Sequence, residues 1–209
     1  MPSLFKRFFA RLPMARSTGA YEFALERVAI PAHARVLDIG AGQGYGAAFL
    51  SRALPDAQVL SVDINMECLK PDRLESGPRP PIFIQASATD LPLATDSLDA
   101  VFAVMTFHCL PQPQRVIQEV ARALKPGGVL ILADVDGRHW MKRSFEMVEH
   151  LFISPLTHAY TSDELAALTV RAGLEDFRVV RRPGKEKGFM MWVFARKPAQ
   201  QKAPGNAGA

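Results

Sequence analysis

The stretch Val36-Leu-Asp-Ile-Gly-Ala-Gly-Gln-Gly-Tyr-Gly46 decides how the chain is read. A short apolar run, Arg35–Ile39, carries an acid, Asp38, near its end; glycine then recurs at Gly40, Gly42, Gly44 and Gly46 before a helical block over Ala47–Ala53. A buried strand that runs into a glycine loop and then a helix lets the backbone pass close to a ligand, and the helix start offers free N–H groups. Asp63, 21 residues beyond Gly42, ends a second strand-like run, Val59–Asp63. A carboxylate in that position can accept both hydroxyls of a ribose, so a ribose-containing ligand is expected. Gly42-Gln-Gly-Tyr-Gly-Ala47 satisfies the dinucleotide pattern G-x-G-x-x-G/A, and Asp63 has the offset for NAD. However, Gly40 already follows the strand, and Asp38 at the strand end would repel a pyrophosphate while suiting an amino group. The residues favour a cationic, phosphate-free ligand over NAD.

Outward from this loop, strand-like and helix-like blocks alternate. Tyr21–Ala29 reads as a helix, Pro81–Gln85, Leu98–Val104 and Val129–Asp134 as further strands, and Gln112–Leu124 as a helix. Strands spaced by helices imply a parallel sheet with helices on both faces. A helix over Ser162–Ala172 opens with the capping-box pair Thr161 and Glu164 and closes at Gly173. The runs Asp176–Arg181 and Phe189–Ala195 follow, joined by a turn-rich loop too short for a crossover helix, and should pair antiparallel. The fold class expected is therefore α/β: a Rossmann-like doubly wound sheet, mostly parallel with an antiparallel C-terminal strand.

The 209 residues suit one domain, expected over 17–196 with a cap-like insertion around 136–160. With 48% apolar and 22% charged residues, the composition is that of a globular protein, and apolar runs such as Ala100–Phe107 fall short of a bilayer span. The net charge of +4 resides in residues 1–16, where Lys6, Arg7, Arg11 and Arg16 stand without an acid; the other 21 basic residues equal the 21 acidic ones. A basic face across the domain is missing, so nucleic acid is not the expected partner. Phe5, Phe8, Phe9 and Leu12 give residues 1–16 the pattern of a basic amphipathic helix. It reads as a lid on the domain, a peripheral membrane contact through residues 4–16, or a transit peptide. Residues 197–209 read as a disordered tail. Two cysteines 41 positions apart and no Cys/His cluster point to a reducing, cytoplasmic setting, membrane-peripheral where residues 4–16 serve as a contact, and to no bound metal.

The ordered set Val-Leu-Asp38-Ile-Gly40-Ala-Gly42, Asp63, Asp99-Ala-Val and Arg122-Ala-Leu-Lys-Pro-Gly-Gly128 resembles the class I S-adenosylmethionine-dependent methyltransferases, in particular the small-molecule, type 11-like group. The resemblance covers residues 33–135. It implies S-adenosyl-L-methionine as cofactor and methyl transfer to a small molecule as the activity. By this likeness Asp38 faces the methionine amino group, Gly40 and Gly42 form the loop under the methionine part, and Asp63 binds the ribose. Ile64 would pack on adenine, and the Ala103 carbonyl would face the methionine. Ser87 stands where the family usually has an Asp for the adenine amino group, beside the Ala88 N–H. A catalytically silent cofactor-binding protein is the other outcome that this substitution leaves open.

Methyl transfer from a sulfonium needs alignment, exclusion of water and, for an acidic nucleophile, a base. His108, in Met105-Thr-Phe-His-Cys-Leu110 after the fourth strand, is the candidate base. The segment 136–160 is rich in aromatic residues and methionine, and Trp140, His158 and Tyr160, with Tyr21, are candidates for contact with an apolar or aromatic acceptor.

Overall fold

The computed structural model describes residues 18–69, 74–152, 154–182 and 188–199. The expected helix over residues 1–16 and most of the expected tail, residues 200–209, lie outside the described residues. Seven strands form one sheet: β1 (Arg35–Ile39), β2 (Gln58–Asp63), β3 (Ile82–Gln85), β4 (Leu98–Val104), β5 (Leu124–Val135), β6 (Glu175–Arg181) and β7 (Met190–Arg196). Their order across the sheet is β3-β2-β1-β4-β5-β7-β6. β1 to β5 pair in parallel, and β7 runs antiparallel to both β5 and β6. The sheet is thus mostly parallel with one reversed strand, and β1 and β4 form the point where strand order turns back, the place where open α/β sheets bind ligands.

Helices cover both faces. α1 (Gly19–Leu25) and α2 (Tyr45–Ala53) lie on one side, where Phe23, Leu50, Val36, Phe102, Ile131 and Trp192 share a core. α3 (Pro113–Ala123) and α5 (Ser162–Arg171) lie on the other, with Leu37, Val101, Ile117, Leu130 and Leu165. Successive strand residues alternate between these two cores, as the two-residue pleat requires. Between β5 and α5 stands α4 (Lys142–Phe152), within the segment expected to form a cap. The capping box of α5 is present: Thr161 accepts from the Glu164 N–H, and Glu164 accepts from the Thr161 N–H at 2.7 Å.

β1 and β4 have the bounds expected from sequence, because both are central strands buried on two faces. Two elements differ by more than two residues at one end. α1 ends at Leu25 instead of continuing to residue 29. β5 begins at Leu124 rather than Val129: Leu124 pairs with Leu98, and a register shift before Ala100 absorbs Lys125-Pro-Gly-Gly128. Gly127, at φ +80°, takes the left-handed conformation that makes this irregularity compatible with a strand.

Candidate active site

At the end of β1 the chain turns sharply. The Gly40 and Ala41 N–H groups both donate to the Val62 carbonyl of β2, at 2.8 and 3.1 Å. Gly40 sits at φ +88°, and a Cβ there would collide with the Thr106 side chain just beyond β4. Gly42 is different: at φ +49° its Cβ would meet nothing closer than the Gly40 carbonyl at 4.0 Å. The first glycine therefore lets two strand ends approach, and the second keeps an open surface above the loop.

Asp63 ties this surface to β2. Its carboxylate accepts from the Gly42 N–H and from the Asn65 N–H, each at 3.0 Å. Ile64, next to it, is 70% exposed, so its side chain is open to a ligand lying over the loop. On the neighbouring β3 side, the Ser87 hydroxyl bonds Thr89 Oγ1 at 2.7 Å and accepts from the Thr89 N–H, so it shapes a turn. The Ala88 N–H has no hydrogen-bond partner among the described residues. Ala103 is buried at the end of β4, paired with Ile39.

Asp38 is buried at 1% exposure, and its carboxylate accepts from the Tyr21 hydroxyl at 2.8 Å and from Ser61 Oγ at 3.1 Å. Burial raises its pKa to about 7, against the lowering effect of those two hydrogen bonds. Tyr21 was expected to meet the acceptor; its ring instead lies in the core between Phe49 and Phe102, and its hydroxyl is committed to Asp38. A Cβ at Gly46 would strike the Tyr21 ring and hydroxyl, so the fourth alternate glycine makes room for that tyrosine.

His108 lies in a 3₁₀ turn (Phe107–Cys109) after β4 and is 5% exposed. Its Nδ1 is 2.7 Å from Asp134 Oδ1 at the end of β5, and its Nε2 is 3.7 Å from Glu149 Oε2 on α4. Burial alone would lower the imidazole pKa, but the charges of Asp134 and Glu149 outweigh it and raise it to about 10. His108 is thus favoured in its protonated form between these carboxylates, a state that does not favour the base role expected from sequence. Glu149, which the sequence reading did not single out, belongs to this cluster, and no sequence pattern marks it because its partner lies on another element.

The structure brings His158 and Tyr160 to the same place but not Trp140. The His158 N–H donates to the His108 carbonyl at 2.8 Å; Tyr160 packs edge-on to His158 and against Phe107. Phe145 of α4 meets His108 edge-on at 5.2 Å. Trp140 is 83% exposed and faces away from the core, beside His139.

A glycine loop bonded to the acid that ends β2, at the turning point of this strand order, is the arrangement against which known proteins can be compared. Residues 37–132 match the methyltransferase domain family. This stretch, a little under half of the chain, is similar to a methyltransferase domain. Over 101 residues, 48% of this chain, the sequence is 35% identical to phthiotriol/phenolphthiotriol dimycocerosates methyltransferase 1 of Mycobacterium ulcerans. Over 105 residues, half of this chain, it is 34% identical to a fatty-acid O-methyltransferase of Mycolicibacterium smegmatis. The chain spans 37% and 38% of the length of these curated relatives. In fold, the methyltransferase domain and its flanks resemble an S-adenosylmethionine-dependent methyltransferase from Thermotoga maritima. That likeness has a TM-score of 0.72 at 22% identity and covers 94% of this chain and 99% of the other.

Proposed function

We propose that this chain transfers the methyl group of S-adenosylmethionine to a small, apolar acceptor held between the turn after β4 and the cap formed by residues 136–160. The observation that carries the reading is the Asp63–Gly42 bond beside an open loop surface and an exposed Ile64. These residues fit the cofactor. Asp63 would take the ribose hydroxyls, Ile64 one face of the adenine, and the free Ala88 N–H an adenine nitrogen, with Ser87 shaping its turn. Gly40, Gly42 and the Ala103 carbonyl would line the methionine part, and Asp38 would supply negative charge towards its ammonium.

The bound cofactor supplies a methyl group on a positively charged sulfur, already activated for displacement. What remains for the protein is to align the acceptor, keep water out and control charge. His108, as a cation between two carboxylates, anchors the cap to the sheet edge and does not remove a proton. An acceptor whose oxygen is already anionic, such as a carboxylate, needs no such base. The fatty-acid O-methyltransferase among the relatives points the same way, and Phe145 and Tyr160 offer aromatic surface to an apolar tail. The same reading places the protein in the cytoplasm, apart from nucleic acid, with residues 4–16 as a contact for membranes in which apolar acceptors reside. No helix among the described residues is long and apolar enough to cross a membrane.

The test combines binding and turnover. Titration calorimetry should show binding of S-adenosylhomocysteine and none of NADH. Radiolabelled S-adenosylmethionine, offered with long-chain carboxylates, phenols and amines, should label the carboxylates first. Binding of NADH instead would overturn the cofactor assignment, and cofactor binding with no turnover on any acceptor would leave a silent binder.

A further inference from the structure

The segment from residue 138 to 156 carries an exposed surface that the methyl-transfer reading does not use. Trp140 is 83% exposed, Met147 58%, Leu151 68% and Leu156 56%. Trp140, Met147 and Leu151 follow one another at spacings of seven and four residues, which places them along one side of α4 and the turn before it. Arg143, four residues before Met147, is exposed on that side and has no carboxylate partner among the described residues.

The acids of α4 lie elsewhere. Glu146 accepts from the Ala159 N–H at 2.9 Å and is within 3.6 Å of Lys142 Nζ, and Glu149 is buried against His108. Arg138 lies at the start of the segment, paired with the exposed Asp163. The outward face of α4 is therefore apolar along its centre, basic at its start and free of acids. A face meant only for water would carry its acids outward, and a face meant for an ordinary protein core would not carry an arginine beside its tryptophan. An apolar stripe with a tryptophan and flanking cations is suited to the headgroup boundary of a bilayer, where the indole has both a wet and an apolar side.

We infer that the outward face of α4, with Trp140, Arg143, Met147 and Leu151, docks the protein on an anionic lipid surface. The charge complementarity of the face commits the partner: the apolar side chains enter the headgroup region while Arg143, unpaired among the described residues, meets lipid phosphates. This surface is separate from residues 4–16, and the inference stands whether or not the acceptor is apolar. It would set the cap, and the turn carrying His108 beneath it, against the bilayer.

The chain has two tryptophans, and Trp192 is 3% exposed in the core, so a change in emission on adding vesicles reports Trp140. The full chain should show a blue shift with vesicles of about three parts phosphatidylcholine to one part phosphatidylglycerol, and little with phosphatidylcholine alone. Raising the salt concentration should weaken the binding. A Trp140→Ser/Leu151→Ser double variant should lose at least tenfold in vesicle affinity, measured by co-sedimentation, and Arg143→Glu should lose several-fold. S-adenosylhomocysteine binding of each variant, measured in parallel, should be unchanged, which also shows that the variants are folded. Vesicle binding that survives in the double variant would overturn the inference, since residues 4–16 would then suffice. Trp140 emission already blue-shifted without lipid would overturn it as well: independent of protein concentration, it would mean that another segment of this chain covers the face, and dependent on it, a second copy.

Discussion

The glycine loop and the cap share one edge of the sheet but are held there by different interactions. The loop is a backbone construction. Its hydrogen bonds run from Gly40, Ala41 and Gly42 to β2, and its shape follows from residues without side chains. The cap is a side-chain construction: the His108–Asp134–Glu149 cluster and Arg181 on Asp136 at 2.6 Å fasten it to the sheet, and Glu146 on the Ala159 N–H braces it internally. A backbone turn tolerates little change and keeps its geometry across a wide pH range. A cluster of buried charges is adjustable, and its strength follows protonation. The loop end of the proposed site is accordingly rigid, and the cap end can be retuned.

The largest effect should come from the loop. Gly40→Val would drive a side chain into Thr106 at a φ that such residues avoid, and should abolish S-adenosylhomocysteine binding by calorimetry while lowering the melting temperature. Gly42→Val points into open space and should block binding with less loss of stability. If Gly42→Val proves the less stable of the two, the division between a structural and a ligand-facing glycine fails.

Next comes the cap. His108→Gln removes the cation between two buried carboxylates and should cost about 3–5 kcal/mol of stability. The imidazole pKa is raised from roughly 6.5 in an unfolded chain to about 10, so its contribution is full below the lower value and is lost as pH rises through the upper one. The gap in melting temperature between wild type and variant should be wide at pH 6 and close towards pH 10. A gap independent of pH would show that packing, not charge, holds the cap.

Asp63→Ala should weaken S-adenosylhomocysteine binding by about 2–3 kcal/mol, since hydrogen bonds to charged groups contribute roughly 1.5–3 each and do not add. Its effect on the cap should be negligible; a matching fall in acceptor affinity would mean that the two regions are coupled. The smallest effect concerns Asp38. Because it ionises near pH 7, cofactor affinity should rise several-fold between pH 6 and 8, and Asp38→Asn should flatten that rise. The stability term has the opposite sense: a raised carboxyl pKa stabilises the fold below the unfolded value, and that contribution disappears as pH climbs through 7.

The same division explains what could be read from the sequence. Val36–Gly46 and Leu98–Val104 were legible because central strands are apolar on both faces and a glycine loop has few alternatives. The capping box at Thr161 and Glu164 and the antiparallel pairing of β6 with β7 follow from equally local chemistry. β5 began earlier than expected because pairing of Leu124 with Leu98 overrides the turn tendency of Pro126-Gly-Gly128. Tyr21 on Asp38 and Glu149 beside His108 were not legible, since each joins residues whose proximity is created by the fold alone. His108 itself was found by its position after β4; its protonation depends on partners 26 and 41 residues further along.

The reversed strand has a consequence for how the molecule is made. β7 is paired on both sides, with β5 and with β6, although it is the last strand of the described chain. Synthesis therefore delivers β5 and β6 before the strand that joins them exists. Until Met190–Arg196 has left the ribosome, β5 presents an open edge and β6 has no neighbour, while β1 to β4 can already assemble. The nascent protein passes through a stage in which the half of the sheet around the glycine loop is formed and the other half waits, and premature termination in that interval leaves a sticky edge, not a smaller domain.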